Sequence, residues 1–119
     1  MKCLYKEDEF SKASKIDTHT LDFYDKIGLL EPSIITEDNM TFYTDEDLNN
    51  AKQISFLKSV NFTLGEIAYY KDNLSSDIIE QKQDEIMRQM EELQLKYDKL
   101  ETVKKRVRGK IKSLYIRRN

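Results

Sequence analysis

Apolar residues recur along most of this chain at the spacing of one helix face. Between Phe10 and Leu30 they form two groups that meet near Lys15, which predicts two short helices. Asp17 is placed to cap the second helix, because its short acceptor side chain can satisfy the free amides of the first turn. Gly28 supplies the left-handed residue that ends this helix.

The segment 31–43 loses the helical spacing and predicts a β-hairpin with its turn at Glu37 to Asn39. Thr44 then begins a third helix, because the acidic residues that follow it favour the positive end of a helix dipole. Thr63 and Glu66 form a capping box that opens a fourth, short helix. Its predicted inward-facing residues are Leu64, Ile67 and Ala68.

A long last helix is predicted from about Ile78 to Ile116, with its cap at Ser76 or Asp77, in a stretch without proline. Its apolar residues follow a seven-residue repeat, which is typical of a two-stranded coiled coil. The predicted dimer interface consists of Ile79, Ile86, Met90, Leu93, Tyr97, Leu100, Val107, Ile111 and Leu114. A helix of about 60 Å cannot bury this stripe on the preceding domain alone, so it needs a partner helix. We therefore predict a domain over residues 1–74 and a dimerisation helix over residues 77–116.

Charge divides the chain into two parts. Residues 1–70 carry 13 acidic residues and 7 lysines, a net charge of −6, whereas residues 71–119 carry 9 acidic and 13 basic residues, a net charge of +4. In the second part, segment 72–85 is mainly acidic and run 104–118 holds eight bases and no acid. A parallel dimer would place like charges side by side, so the charges favour an antiparallel homodimer. The basic run then pairs with acidic residues of the partner, and a nucleic-acid surface is its alternative use.

Composition limits the class of protein. Three Gly and one Pro among 119 residues predict a mainly α fold, since all-β folds need many turns. The single Cys3 and the single His19 leave no ligand set for a metal, and we predict no cofactor. The chain has no glycine-rich phosphate loop and no nucleophile pair, so it is not predicted to be an enzyme. It also lacks an apolar run of transmembrane length and a secretory signal, which favours a cytoplasmic protein without a membrane partner.

Three segments carry a recognisable pattern. TLDFYDKIGLLEPS spans Thr20 to Ser33, FYTDEDL spans Phe42 to Leu48, and SVNFTLGEI spans Ser59 to Ile67. In this order they resemble the recognition helix with the first wing, the wing exit and the second-wing segment of the MerR family of bacterial transcriptional regulators. The resemblance covers roughly Tyr5 to Leu74, and the long helix matches this family in layout only.

The resemblance implies a winged helix-turn-helix domain whose recognition helix enters the major groove of DNA. Dimers of this family twist and bend promoter DNA so that RNA polymerase can use a poorly spaced promoter. Promoter DNA, a second copy of the chain and RNA polymerase are therefore the expected partners. The candidate DNA contacts are Lys15, Thr18, His19, Thr20, Phe23, Tyr24, Thr41, Tyr43 and Lys58. Since the chain has neither the Cys residues of metal-sensing members nor the length of drug-sensing members, we expect no effector domain.

Three positions depart from the family pattern. His19 and Asp22 stand where the recognition helix usually carries two Arg, and Thr41 stands where the first wing usually carries Arg. DNA affinity depends largely on neutralised phosphates, so these replacements weaken the expected binding. Two hypotheses follow. The preferred one is a MerR-type regulator that binds and distorts promoter DNA as a homodimer, and the alternative is a protein-interaction module that pairs with or blocks another regulator without binding DNA.

Overall fold

The computed structural model describes residues 3–117 and the side chains of residues 3–110. Its elements are β1 (Leu4–Tyr5), α1 (Glu7–Ser14), α2 (Thr18–Lys26), β2 (Ile34–Ile35), β3 (Thr41–Thr44), α3 (Asp45–Ser59), α4 (Leu64–Tyr70) and α5 (Ser76–Arg117). The chain divides after Leu74 into two compact units, the first with β1 to α4 and the second with α5. The predicted mainly α class is confirmed. Among the described residues, no helix combines the length and the apolar character that a membrane span requires.

Helices α1 and α2 form the helix-turn-helix of the first unit. Lys15 takes a left-handed conformation with φ 62° where α1 ends. The Asp17 carboxylate accepts a hydrogen bond from the Thr20 amide at 2.7 Å, which confirms the predicted cap of α2. After α2, Gly28 takes φ 75°, a conformation that glycine adopts without strain, and the helix ends where the sequence predicts.

Strands β2 and β3 form the predicted hairpin, which is the wing of the domain. Ile35 pairs with Thr41, and the Asn39 amide donates to the Thr36 carbonyl at 3.0 Å in the turn. Strand β1 pairs with the other edge of β3, so the sheet has the order β1-β3-β2. The sequence did not predict β1, because two residues are too few to show the alternation of a strand.

The core of the first unit lies between its helices and the sheet. Its largest fully buried side chains are Phe10, Leu21, Ile54 and Ile67. The Tyr43 ring of β3 stacks on the Phe10 ring of α1, with the ring centroids 4.0 Å apart. In α4, Ile67 is buried but Ala68 is exposed, so the predicted inward orientation of Ala68 is wrong. Adjacent residues on a helix point about 100° apart, and in this short helix the position after Ile67 faces solvent.

The second unit is the continuous helix α5, of 42 residues. The Ser75 hydroxyl accepts a hydrogen bond from the Ile78 amide at 3.3 Å, so the predicted cap at Ser76 or Asp77 is wrong by at least one residue. All three side chains are good capping groups, and only the backbone geometry selects among them.

The residues of the predicted dimer interface form an apolar seam along α5, and this seam is uncovered in the single chain. Ile79 is 46% exposed and Leu100 is 69% exposed. The exposed fractions of four other large seam residues lie between these values: Met90, Leu93, Tyr97 and Val107. Ile86 is half-buried. The side chains of Ile111 and Leu114 lie outside the described residues. Antiparallel pairing through this seam stays a prediction.

Candidate nucleic-acid interface

Helix α2 turns one face to the core and the opposite face to solvent. Leu21 and Tyr24, three residues apart, are 0% and 2% exposed, as expected for neighbours on one face of a helix. Asp22 and Phe23 lie between them in sequence and are exposed. The helix that follows the turn therefore displays a row of side chains, as a recognition helix does.

A concave pocket of about 400 Å³ lies beside the start of α2. This Tyr24–Lys58 pocket is lined by Lys15, Ile16, Asp17, Thr20, Tyr24, Ser55, Lys58 and Ser59. The Lys58 Nζ donates a hydrogen bond to the Tyr24 hydroxyl at 3.3 Å and lies 5.9 Å from the centroid of the Tyr24 ring. The fold thus brings together four residues that the sequence predicted separately as DNA contacts: Lys15, Thr20, Tyr24 and Lys58.

The chemistry of this pocket suits an anion. The Lys15 and Lys58 ammonium groups carry positive charge. The Tyr24 oxygen accepts a hydrogen bond from Lys58, which leaves the phenol hydrogen available to a ligand. Asp17 opposes an anion on its own side of the pocket. The backbone hydrogen bond from Thr20 lowers the pKa of Asp17, so this carboxylate stays ionised. The Lys58 side is therefore the part of the pocket whose charge suits an anion.

The outer surface of α2 contains a second concavity, of about 410 Å³. Its lining residues, which define this outer surface, are His19, Thr20, Asp22, Phe23 and Lys26. The Phe23 ring is 48% exposed, so an apolar surface lies beside the Asp22 carboxylate and the Lys26 ammonium group. This combination offers an acceptor, a donor and an apolar contact on one face of the helix.

Negative charge surrounds Asp22 where α1 begins. Burial raises the pKa of Glu7, and a hydrogen bond with Asp22 and the charges of Asp22, Asp25 and Asp8 raise it further. Burial, followed by the nearby acidic charges, also raises the pKa of Tyr43 to about 12, so this phenol stays neutral. The side of α2 near α1 is therefore acidic, whereas the Tyr24–Lys58 pocket carries lysines.

The remaining predicted DNA contacts are divided between the surface and the core. Thr18 is exposed at the first residue of α2, and Thr41 is exposed on the wing. Tyr43, on the same strand as Thr41, is 2% exposed and stacks on Phe10, because β3 runs from the exposed wing into the core. Tyr24 is equally buried but lines the Tyr24–Lys58 pocket, whereas Tyr43 lines neither of the two concavities beside α2. We therefore leave Tyr43 out of the proposed DNA contacts.

Sequence reasoning missed Ser55 and Ser59, which line the Tyr24–Lys58 pocket from α3. The Ser59 hydroxyl donates a hydrogen bond to the Phe56 carbonyl at 2.6 Å, and its oxygen can also accept a hydrogen bond. Ser55, Lys58 and Ser59 have the i, i+3, i+4 spacing of neighbours on a helix face. This polar stripe beside the buried residues of α3 is the signal that could have found them.

A helix-turn-helix with a hairpin wing and a lysine-containing pocket at the start of the second helix defines a winged helix-turn-helix domain of the nucleic-acid-binding class. The chain belongs to the MerR HTH family of regulatory proteins, whose model matches residues 5–74, more than half of the chain. The resemblance carried by the three sequence segments is thereby confirmed.

Relatives of known sequence or structure support this assignment. The chain is 31% identical over 115 residues to the HTH-type transcriptional activator mta of Bacillus subtilis (strain 168), a match that covers 86% of this chain and 45% of that protein. It therefore spans less than half the length of this relative. The structure of MtaN, the N-terminus of the Bacillus subtilis multidrug transporter activator, matches with a TM-score of 0.76 and 25% identity over 83% of this chain and 96% of that chain. HiNmlR, a MerR family regulator lacking the sensor domain and bound to promoter DNA, matches with a TM-score of 0.60 and 26% identity over 83% of this chain and 86% of that chain.

Proposed function

We propose that this chain is a DNA-binding transcriptional regulator of the MerR type that binds and distorts promoter DNA as a homodimer. The observation that carries the proposal is the Tyr24–Lys58 pocket beside the start of the exposed helix α2. One backbone phosphate of the duplex occupies this pocket, while the outer surface of α2 faces the base edges of the major groove.

Tyr24 and Lys58 have complementary roles in binding this phosphate. The Tyr24 ring is 2% exposed, so the core fixes the position of its hydroxyl. Lys58 supplies the charge that neutralises the phosphate, and its hydrogen bond to Tyr24 directs the phenol hydrogen outward. Each neutralised phosphate releases counterions, which makes the affinity depend on salt concentration.

A second copy of the chain is the partner that the exposed seam of α5 requires. Antiparallel pairing places the basic run 104–118 beside the acidic segment 72–85 of the other copy. Such a dimer presents two recognition helices to a pseudo-palindromic site, and deformation of that site is the route by which RNA polymerase gains a usable promoter. This role requires contact with chromosomal DNA, so we assign the protein to the cytoplasm.

DNA binding is favoured over a protein-interaction module for two reasons. A structural relative that matches 83% of this chain, the MerR family regulator HiNmlR, is bound to promoter DNA. The positive charge that His19, Asp22 and Thr41 do not supply is also present elsewhere, because Lys15 and Lys58 converge in one pocket. The recognition helix therefore has a phosphate anchor without the Arg residues usual in the family.

A gel-shift experiment tests the proposed function. The full chain at micromolar concentration is mixed with the DNA upstream of its own gene at about 50 mM salt, with an unrelated duplex of equal length as the control. The proposal predicts retardation of the upstream DNA at protein concentrations that leave the control duplex free. Absence of retardation of the upstream DNA would favour the protein-interaction module.

A further inference from the structure

The outer surface of α2 has an unusual composition for a helix that faces DNA. Of its five lining residues, Lys26 provides a full positive charge, whereas Asp22 provides a negative one. Asp22 forms a hydrogen bond with Glu7, and the charges of Asp8 and Asp25 also act on Glu7. A carboxylate here repels phosphates, so it weakens DNA binding unless it gains a specific hydrogen bond.

Base edges in the major groove determine which hydrogen bond is available. An ionised carboxylate only accepts, so it needs a base that offers a donor without an adjacent acceptor. Cytosine offers its N4 amino group alone, adenine places the N7 acceptor beside its N6 amino group, and guanine offers two acceptors. Thymine offers an acceptor and a methyl group. Cytosine is the one base whose major-groove edge suits a carboxylate.

We infer that Asp22 is a specificity-determining residue that accepts a hydrogen bond from the N4 amino group of a cytosine in each half-site. The inference deepens the proposed function and depends on it. Asp22 is exposed, lies one turn before Lys26 on the outer surface, and does not line the Tyr24–Lys58 pocket, which shares only Thr20 with that surface. A phosphate in that pocket therefore fixes α2, and the exposed Asp22 carboxylate, which accepts more than one hydrogen bond, can contact a base edge in addition to Glu7. The negative surroundings of Asp22 also disfavour a competing contact with the DNA backbone.

Selection of binding sites from a random DNA pool tests this inference. The wild-type chain is compared with Asp22→Asn and with the matched control Asp25→Asn, which removes the same charge from the same helix at a residue that does not line the outer surface. The wild type and Asp25→Asn are expected to enrich a cytosine at one position of each half-site. Asp22→Asn is expected to enrich adenine there, because a side-chain amide pairs with the N6 and N7 atoms of adenine.

Direct affinity measurements on the selected site complete the test. Replacement of the selected C·G pair by T·A should weaken wild-type binding by roughly 5- to 150-fold, and should leave the affinity of Asp22→Ala nearly unchanged. An Asp22→Asn chain that enriches the same cytosine as the wild type would overturn the inference and leave the proposed function standing. A wild-type chain that enriches no sequence would overturn the proposed function itself.

Discussion

The Asp47 carboxylate of α3 accepts hydrogen bonds from both the amide and the hydroxyl of Ser33, at 3.2 Å and 2.6 Å. The same carboxylate accepts from the Thr44 amide at 2.9 Å, so it also closes the capping box of α3. Asp47 is 4% exposed. One buried side chain thus connects the start of α3 with the segment that leads into the wing, and it fixes the wing relative to the rest of the DNA-binding domain.

Replacement of Asp47 by Ala is expected to destabilise the protein. The variant leaves three part-buried donors of Ser33 and Thr44 without their acceptor, and a typical hydrogen bond contributes about 0.5–1.5 kcal/mol net because water replaces part of it. We expect a loss of about 2–3 kcal/mol in the free energy of unfolding, measured by urea denaturation at one fixed protein concentration. Ser33→Ala is the control, and it should cost about 1 kcal/mol because the other acceptor contacts remain. Equal urea midpoints for Asp47→Ala and the wild type would contradict this role.

Glu7→Gln is expected to stabilise the protein at neutral pH. In the unfolded chain a Glu titrates near pH 4.3, about its ordinary value. Since the folded state raises the pKa of Glu7, the stability that this group contributes is fully present below about pH 4 and is lost as the pH rises through the folded pKa. Gln cannot ionise, so the variant should match the wild type in acid and unfold at a higher temperature at pH 7, by the equivalent of about 0.2–1 kcal/mol.

Two controls define the origin of this effect. In the Asp22→Asn background the benefit of Glu7→Gln should shrink, because the neighbouring charge is gone. Glu9→Gln should not stabilise the protein at pH 7, since the Glu9 carboxylate accepts a hydrogen bond from the Lys6 amide at 2.9 Å. A wild-type melting temperature at pH 7 equal to that of Glu7→Gln would show that Glu7 ionises without penalty.

The exposed apolar seam of α5 predicts a dimer. We expect two substitutions within the seam to abolish this dimer. Leu93→Asp with Leu100→Asp introduces four carboxylates into the centre of the paired helices, and light scattering should then return a monomer in place of the wild-type dimer. Leu95, exposed on the same helix but outside the seam, provides the control substitution Leu95→Asp. A wild-type chain that is monomeric at micromolar concentration would contradict the proposed assembly.

Disulfide formation tests the direction of the two helices. In a Cys3→Ser background, chains with Ile86→Cys should not cross-link to one another in an antiparallel dimer, because the two copies of this position lie far apart. An equal mixture of Ile86→Cys and Val107→Cys chains should cross-link, since these two seam positions lie at equal distances from the centre of the predicted helix 77–116. Self-cross-linking of Ile86→Cys alone at high yield would indicate a parallel dimer.

The basic residues near the end of α5 are expected to stabilise the dimer. Arg106, Arg108 and Lys110 are exposed, and each exposed pair with the acidic segment of the partner contributes about 0.2–1 kcal/mol at low salt. Their replacement by Gln should weaken dimerisation and make the dimer dissociation constant insensitive to salt. An unchanged dimer whose DNA affinity depends less steeply on salt would instead assign these residues to nucleic acid.

Local signals in the sequence were sufficient to predict most elements of the first unit. Asp17, Thr44 and Thr63 cap helices through hydrogen bonds to residues three positions later, so the relevant partners are adjacent in sequence. Strand β1 was not predictable in this way, because it depends on pairing with β3 about 40 residues later. Local chemistry can be read directly from sequence, whereas a two-residue strand exists only once its partner is in place.

The candidate site was predictable residue by residue but not as a pocket. Lys15, Tyr24 and Lys58 come from three separate elements or turns, and only the fold of the first unit, in which α1 packs against both α2 and α3, brings them to one concavity. Tyr43 shows the opposite case. Its place in a family-like segment suggested a DNA contact, yet the stacking on Phe10 that buries it involves a residue far away in sequence.

The salt dependence of DNA binding shows whether a phosphate binds in the Tyr24–Lys58 pocket. The wild type, Lys58→Gln and Tyr24→Phe are compared with Lys52→Gln, which removes an exposed lysine of α3 that does not line the pocket. For each chain, log affinity for the upstream DNA is measured against log salt concentration. Lys58→Gln should weaken binding and reduce the slope by about 2, about 1 for each protomer of the dimer, Tyr24→Phe should weaken binding with little change of slope, and Lys52→Gln should leave both unchanged. A Lys58→Gln chain with the wild-type slope and affinity would contradict the account.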